Sequence, residues 1–458
     1  MKKVNLLLFL MPVFALFALN LLLPKGEEVS KLEKRTLRAF PSFSLSSLWS
    51  GQYFKEFDNY FADHFVFRDR LVQAGSEIKD WRGLTGEDRV SIVVQKGGNN
   101  MFQDLAKSAP PDKAASVQQD AGAASKGTGT GAEAQSAAPA TSPGTGAGAG
   151  AAAASAAAAE AAKDVQNTDS ERYLVLKDRA MALFSYVPEY GQAYAEALRD
   201  FQKAIDPKIR VYNLLAPTAI EFVKEAKYKT LSDSQKDAIG QIYKALGPNI
   251  TPIDAHSALS KHTDEYIYFR TDHHWTALGA YYAYTAFMDR IGEKPVPLSQ
   301  YETEEWDGYL GSAYSATLDV NLKKNPDTVA FYKPFVPYDY ALHWVDEVGL
   351  KRNVVDRSYA EEGGGGYAVF LEGDSPWGAI ETDNKNGKKL LVIKDSYANP
   401  FVPFLLPHFQ TVYFIDPRHF TSHIFDFVKE KDVTDVLFLN NLAVTAYNGY
   451  TELLLSKE

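Results

Sequence analysis

From Tyr194 onward, short apolar runs alternate with stretches of helical period, and this alternation restricts the fold more than any other feature of the chain. Ile209–Ala216 reads as a buried strand ended by Pro217, since the residue before a proline is pushed toward extended backbone and proline cannot donate to a ladder. Tyr367–Leu371, Lys389–Ile393, Thr411–Ile415 and Val433–Leu439 read as four more strands. Tyr194–Ile205, Ser232–Leu246, Trp275–Ile291 and Ser422–Glu430 carry the spacing of helices. Strands interleaved with helices imply an α/β fold built on a mostly parallel sheet with helices on its faces. In such sheets the reactive groups stand at the carboxyl ends of the strands.

The preceding chain is less uniform. Lys2 and Lys3 precede an apolar run from Val4 to Leu23, broken by Asn5, Pro12 and Asn20. About twenty apolar residues suffice for a membrane-spanning helix. Ala15 and Ala18 are too far apart for an A-x-A cleavage site. The expectation is an uncleaved anchor over residues 1–24, a single-pass transmembrane helix. Its N-terminus would be cytoplasmic and the bulk of the chain extracytoplasmic. Residues 25–103 read as folded, with Phe54, Phe57, Phe61 and Phe65 at helical spacing and Ser91–Val94 as a short strand. Residues 104–164 consist largely of Ala, Gly, Ser, Thr and Pro. They lack the large apolar side chains needed to offset chain entropy and read as a disordered insertion. Ala151–Ala162 within it has transient helical propensity. Residues 165–458 form the catalytic domain in this reading.

Composition excludes some chemistries. A net charge of -10 and a pI near 5.5 argue against a broad basic surface for nucleic acid. The chain has no cysteine, so disulfides, thiolate nucleophiles and thiolate zinc sites are excluded.

Two motifs carry the chemistry. Asp272-His273-His274-Trp275 offers a carboxylate and an imidazole two residues apart. Lys394-Asp395-Ser396-Tyr397 places a hydroxyl directly after an apolar strand. Serine needs a base to take its proton, histidine titrates near neutrality, and an acid fixes the imidazole tautomer. Ser396 as nucleophile, His274 as base and Asp272 as its orienting acid therefore make a triad. The backbone N–H groups of Ser396 and Tyr397 are candidate oxyanion donors, joined by the side chains of Asn440 or Asn441 at the end of the Val433–Leu439 strand.

Each residue has a plainer use. His64 and His273 read as hydrogen-bonded structural histidines, Trp275 as a core aromatic, Asp395 as a turn cap and Lys394 as a side chain snorkelling to the surface. Metal binding by the Asp-His-His group is disfavoured, because adjacent ligands seldom converge without remote partners. Neither a metal nor a cofactor is expected. A rival nucleophile is Ser375 in Gly373-Asp374-Ser375, but Pro376-Trp377-Gly378 and a polar turn follow it with no helix. Ser396 has the better strand-to-turn context.

Thr271–Trp275 together with Val392–Ala398 resembles the DHHW family, whose members are similar to the SGNH-like acyltransferase domain of the alginate O-acetylation machinery. Glu33–Leu37, Tyr60–Arg68 and Asp416-Pro417-Arg418-His419-Phe420 extend the resemblance. It implies catalytic Asp272, His274 and Ser396, with Tyr397, Asn440, Asn441 and Arg418 as oxyanion or substrate candidates. It also implies an SGNH-hydrolase-like sheet in circularly permuted order, since the Asp-His block precedes the serine block. Two departures stand out: Lys394 occupies the place of a glycine, and Asp-x-His replaces Asp-x-x-His. The function implied is O-acetylation of a cell-surface polysaccharide through an acyl-enzyme, with the acyl group handed over by a multi-span membrane O-acyltransferase. Ester hydrolysis by the same triad, or a non-enzymatic envelope scaffold, are the alternatives.

Overall fold

The computed structural model describes residues 35–81, 90–96 and 170–457, apart from 344–348, 362–364 and 447, together with scattered positions before residue 31. The insertion read over 104–164 lies outside the described residues.

An eight-stranded mixed sheet forms the centre. Its strands are β1 (Arg210–Ala216), β2 (Ile250–Pro252), β3 (Tyr338–His343), β4 (Leu350–Arg352), β5 (Trp377–Thr382), β6 (Lys389–Lys394), β7 (Thr411–Ile415) and β8 (Asp435–Asn441). They lie side by side in the order β4-β3-β5-β7-β6-β8-β1-β2. The run from β7 to β2 is parallel, with Ile393 opposite Phe438 and Leu439 opposite Leu214. β5, β3 and β4 add an antiparallel flank. The sheet is therefore mixed, and the expectation of a mostly parallel one is corrected on this flank. The flanking strands escaped notice because they are half-buried and carry none of the continuous apolar runs that mark β6, β7 and β8.

Continuous burial explains the central strands. Leu390–Ile393, Thr411–Ile415 and Val436–Leu439 are buried on both faces. Each such side chain contributes on the order of 1.5–3 kcal/mol when removed from water. Two large clusters lie on opposite sides of the sheet. One gathers Leu390, Val392, Leu437, Trp275, Tyr284 and Phe287. The other gathers Leu391, Ile393, Val436, Phe438, Leu198 and Phe201.

The helices form where their caps dictate. α1 (Pro188–Ala204) starts six residues before the expected Tyr194, because Pro188 at the first turn is pre-set for a helix. α2 (Gln235–Ala245) is capped by Ser234. α3 (Ala277–Ile291) is capped by Thr276 and ends at Gly292 in the left-handed region, φ 79°. α4 (Ile424–Glu430) joins β7 to β8 and α5 (Asn448–Leu455) follows β8. One expected strand fails: Gly366–Val369 is a 3₁₀ turn. Leu371 and Glu372 sit at φ 56° and 63°, which an extended ladder cannot accommodate.

Outside the main sheet, Ser91–Lys96, Ser170–Val175 and Ala180–Ala182 pair antiparallel. Glu302–Tyr309 pairs with Asp327–Lys333. The aromatic helix Gln52–Asp63 is present. Phe40 meets Phe57 and Tyr60 edge-on at 6.0 and 5.2 Å, while Phe54 stays exposed. His64 Nδ1 bonds the carbonyl of Tyr60 at 3.0 Å.

The expected transmembrane helix over residues 1–24 finds no support, and most of that segment lies outside the described residues. Among the described residues no helix is long and apolar enough to cross a membrane. The transmembrane helix over residues 1–24 and the single-pass placement that depended on it are corrected accordingly. A polar contact runs against the span as well: Asn20 is buried and its Oδ1 accepts the backbone N–H of Val66 at 3.0 Å.

Candidate active site

Ser396 follows β6 at its carboxyl end and opens a 3₁₀ turn over Ser396–Ala398. Asp395 caps that turn: its carboxylate accepts the N–H of Tyr397 at 2.9 Å and, across the sheet, the N–H of Asn441 at 2.7 Å. One buried carboxylate thus ties the serine turn to the end of β8. Burial pushes the Asp395 carboxyl up, against the opposing effect of the Arg418 charge and of these two N–H groups.

The segment before α3 brings the other two residues to the same place. His274 Nε2 lies 2.7 Å from Ser396 Oγ, and His274 Nδ1 lies 2.5 Å from Asp272 Oδ1. All three side chains are buried, with Ser396 and His274 at 7% and 6% exposure. Asp272 is held from several sides. Its Oδ1 also accepts the N–H of His274 at 2.9 Å, and its Oδ2 accepts the Tyr309 hydroxyl and the Ser312 N–H, both at 2.8 Å. Burial raises the cost of ionising Asp272. The charge of His274 and the hydrogen bond to it outweigh that cost and hold the carboxyl well below the usual carboxylate range. A carboxylate that stays ionised, a histidine bridged between acid and hydroxyl, and a serine at a strand end are the parts of a proton relay for nucleophilic attack.

Gly311 is required here. A Cβ on it would stand 2.3 Å from both Cβ and Oδ2 of Asp272. Tyr367 stacks on the imidazole of His274 and its hydroxyl donates to the carbonyl of Ser396 at 2.9 Å. Burial first, and the charge of Asp272 second, push the Tyr309 and Tyr367 phenols well up, so both remain O–H donors.

A family model described as DHHW protein matches residues 147–415, more than half of the chain. The chain belongs to the DHHW family. Among solved structures, a DHHW-family protein from Eubacterium siraeum is 32% identical with a TM-score of 0.57, covering 63% of this chain and 95% of that one. Bacillus cereus PatB1, solved with a sulfonyl adduct, is 19% identical with a TM-score of 0.52, covering 61% of this chain and 97% of its own. The latter likeness is one of fold. A comparison with curated proteins returned no match.

The other candidates of this DHHW protein are placed as follows. Tyr397 lies beside the triad, but its N–H goes to Asp395, its hydroxyl donates to the His273 carbonyl, and its own carbonyl accepts Trp275 Nε1–H at 2.8 Å. The Asn440 carboxamide is held in a buried network: Oδ1 accepts from the Tyr194 hydroxyl at 2.9 Å and Nδ2 donates to the Tyr450 hydroxyl at 2.7 Å. Asn441 Oδ1 accepts the Ala443 N–H at 2.9 Å. Arg418 is engaged by Asp416 and Asp374 at 2.6 and 2.7 Å. Lys394 does not snorkel. It is fully buried, with Nζ 3.1 Å from Asp374 and 3.7 Å from Asp416. The rival Ser375 is buried and its Oγ has no hydrogen-bond partner.

Asp272, His273 and His274 offer ligand atoms within 4.8 Å of one another. Both nitrogens of His274 and Nδ1 of His273 are engaged by Asp272, Ser396 and Ser312, which leaves His273 Nε2 as the unpartnered nitrogen. Burial, reinforced by the charge of His274, lowers His273 to about 3, so it is neutral near pH 7. Tyr309, Gly311, Ser312 and Tyr367 were not visible as site residues in the sequence. Each is far from both motifs and of a common type, and no spacing marks it.

Proposed function

We propose that this DHHW protein is a serine-dependent O-acyltransferase that moves an acetyl group onto a hydroxyl of a polysaccharide. The observation that carries the reading is the continuous line Ser396 Oγ, His274 Nε2, His274 Nδ1, Asp272 Oδ1, with spacings of 2.7 and 2.5 Å at its two hydrogen bonds. In the first half, Ser396 Oγ attacks the acyl carbonyl while its proton passes to His274 Nε2. His274 then gives that proton to the departing oxygen, leaving an ester on Ser396. In the second half, a sugar hydroxyl attacks the ester, His274 takes the sugar's proton, and the proton returns to Ser396 as the new ester leaves. Asp272 stays ionised throughout and stabilises the imidazolium. The Ser396 N–H and the Asn441 carboxamide are the oxyanion donors in this scheme, since the Tyr397 N–H is already given to Asp395.

Transfer in preference to hydrolysis is supported by the likeness of the two motifs to acyltransferase domains. An acyl donor and a polysaccharide acceptor are the partners this chemistry needs.

The test uses the purified full chain with a chromogenic acetyl ester, with and without added oligosaccharide. A sulfonyl fluoride, chosen because PatB1 has been solved with a sulfonyl adduct, should add one sulfonyl mass to the wild type and none to Ser396→Ala. Acetylated oligosaccharide, formed by the wild type and lost with Ser396→Ala, is the expected product. Acetate alone, at every oligosaccharide concentration, overturns transfer. Unchanged turnover in Ser396→Ala overturns the whole scheme.

A further inference from the structure

Asp327 is fully buried, and its carboxylate accepts five hydrogen bonds where that of Asp272 accepts four. Its Oδ1 accepts the Tyr266 hydroxyl, the Arg270 N–H at 2.9 Å and Arg270 Nε–H at 3.3 Å. Its Oδ2 accepts the Thr271 N–H at 2.7 Å and the Thr271 hydroxyl at 2.6 Å. A carboxylate with no exposure is costly unless such donors compensate it. Here the donors are concentrated on the two residues that directly precede Asp272.

The rest of that backbone is equally constrained. The Arg270 carbonyl accepts Ala180 N–H at 2.9 Å and the Thr271 carbonyl accepts Tyr314 N–H at 2.8 Å. Thr271 Oγ1 also accepts the Gly311 N–H at 3.1 Å, and Gly311 is the residue packed against Asp272. Arg270 Nη2 donates to the Pro326 carbonyl at 2.7 Å, closing the link to the strand that carries Asp327. Every backbone N–H and carbonyl of residues 270–271 is thereby spoken for, and Asp327 takes both N–H groups.

We propose that Asp327 is the positioning residue of the triad: it fixes the Arg270-Thr271 peptide so that Asp272 meets His274 Nδ1 at hydrogen-bonding distance. It acts through Asp272 and touches no reacting atom. The kinetic arm of its test rests on the proposed acyl transfer; the spectroscopic arm does not.

The test is Asp327→Asn in the full chain. Asparagine keeps the shape but offers an amide N–H₂ where one oxygen stood, so either the Tyr266 and Arg270 donors on Oδ1 or the two Thr271 donors on Oδ2 lose their acceptor. The expected result is a fall in kcat for the chromogenic ester of at least tenfold with KM within about threefold. The downfield proton resonance of His274 Nδ1–H should also move or broaden. Asp435→Asn, which loosens the Arg210–Asp435 pair at the other end of β8, is the structural control and should leave that resonance in place. If Asp327→Asn does not fold, Thr271→Val takes its place with the same readouts, since it removes the hydroxyl link and keeps the backbone donors. A folded variant with wild-type kcat and an unmoved resonance overturns the proposal. A wild type with the resonance but without ester turnover counts against acyl transfer and leaves the positioning test standing.

Discussion

The imidazole of His274 lies flat against the phenol ring of Tyr367, with centroids 3.8 Å apart and planes 12° from parallel. Through its hydroxyl the same tyrosine holds the carbonyl of Ser396. One side chain therefore contacts both the imidazole of His274, the proposed base, and the backbone of Ser396, the proposed nucleophile. Tyr367→Phe keeps the ring and loses the hydrogen bond; Tyr367→Leu loses both. We expect kcat for the acetyl ester to fall about threefold in the first and about thirtyfold in the second, since misplacement of a catalytic group by a fraction of an ångström is costly. Equal effects in steady-state kinetics would show that the stacking does not matter.

Ser375 and Ser396 make opposite predictions. The Ser375 hydroxyl is buried without a partner, so removing it costs no hydrogen bond and relieves a desolvated polar group. Ser375→Ala should turn over ester within twofold of wild type and unfold at the same urea concentration or a higher one. Ser396→Ala should lose about a thousandfold or more. A large loss in Ser375→Ala, with the protein folded by circular dichroism, would reopen the choice of nucleophile.

His273 should impose a pH dependence on stability. Its folded value of about 3 lies below the ordinary 6.5, with burial the main cause and the charge of His274 next. Well above pH 6.5 it is neutral in both states and contributes nothing. As pH falls from 6.5 toward 3, the unfolded chain takes up a proton that the folded chain resists, so stability falls by up to about 1.4 kcal/mol per pH unit. His273→Asn lacks that proton uptake. Urea unfolding between pH 6.5 and 4.5 should show a shallower acid loss in the variant than in the wild type, and superimposable slopes would refute the assignment.

Lys394 should matter to stability more than its neighbours on β6. Its ammonium is fully buried between Asp374 and Asp416. Lys394→Met leaves those carboxylates with Arg418 as their remaining cation, and uncompensated buried charge costs roughly 3–5 kcal/mol. A loss under about 1 kcal/mol by urea titration would mean that the carboxylates re-solvate freely.

The two motifs were legible because their chemistry is local. Asp272 and His274 are two residues apart and share one turn, and Ser396 follows an apolar run that could only be a central strand. The buried runs of β6, β7 and β8 were equally plain, since double-sided burial leaves a continuous apolar signature. The antiparallel flank was not legible. Strands such as Trp377–Thr382 are half-buried, and their partners are decided by packing at long range. For the N-terminal apolar run, likewise, hydropathy gives the length but not the contact of Asn20 with Val66.

The sequence by itself determined the α/β alternation, the nomination of Ser396, His274 and Asp272 as candidates, and the absence of cysteine, because each depends on residue type and local spacing. The tertiary structure decided which groups are free to act. It closed 2.7 Å between residues 122 positions apart, and it gave the Tyr397 N–H to Asp395 and the Asn440 amide to two tyrosines. It also brought Tyr309, Gly311 and Tyr367 around Asp272 and His274, and Asp327 onto Arg270 and Thr271 before them. Those assignments depend on distances and on the saturation of buried donors and acceptors, and neither quantity is encoded in any short stretch of the chain.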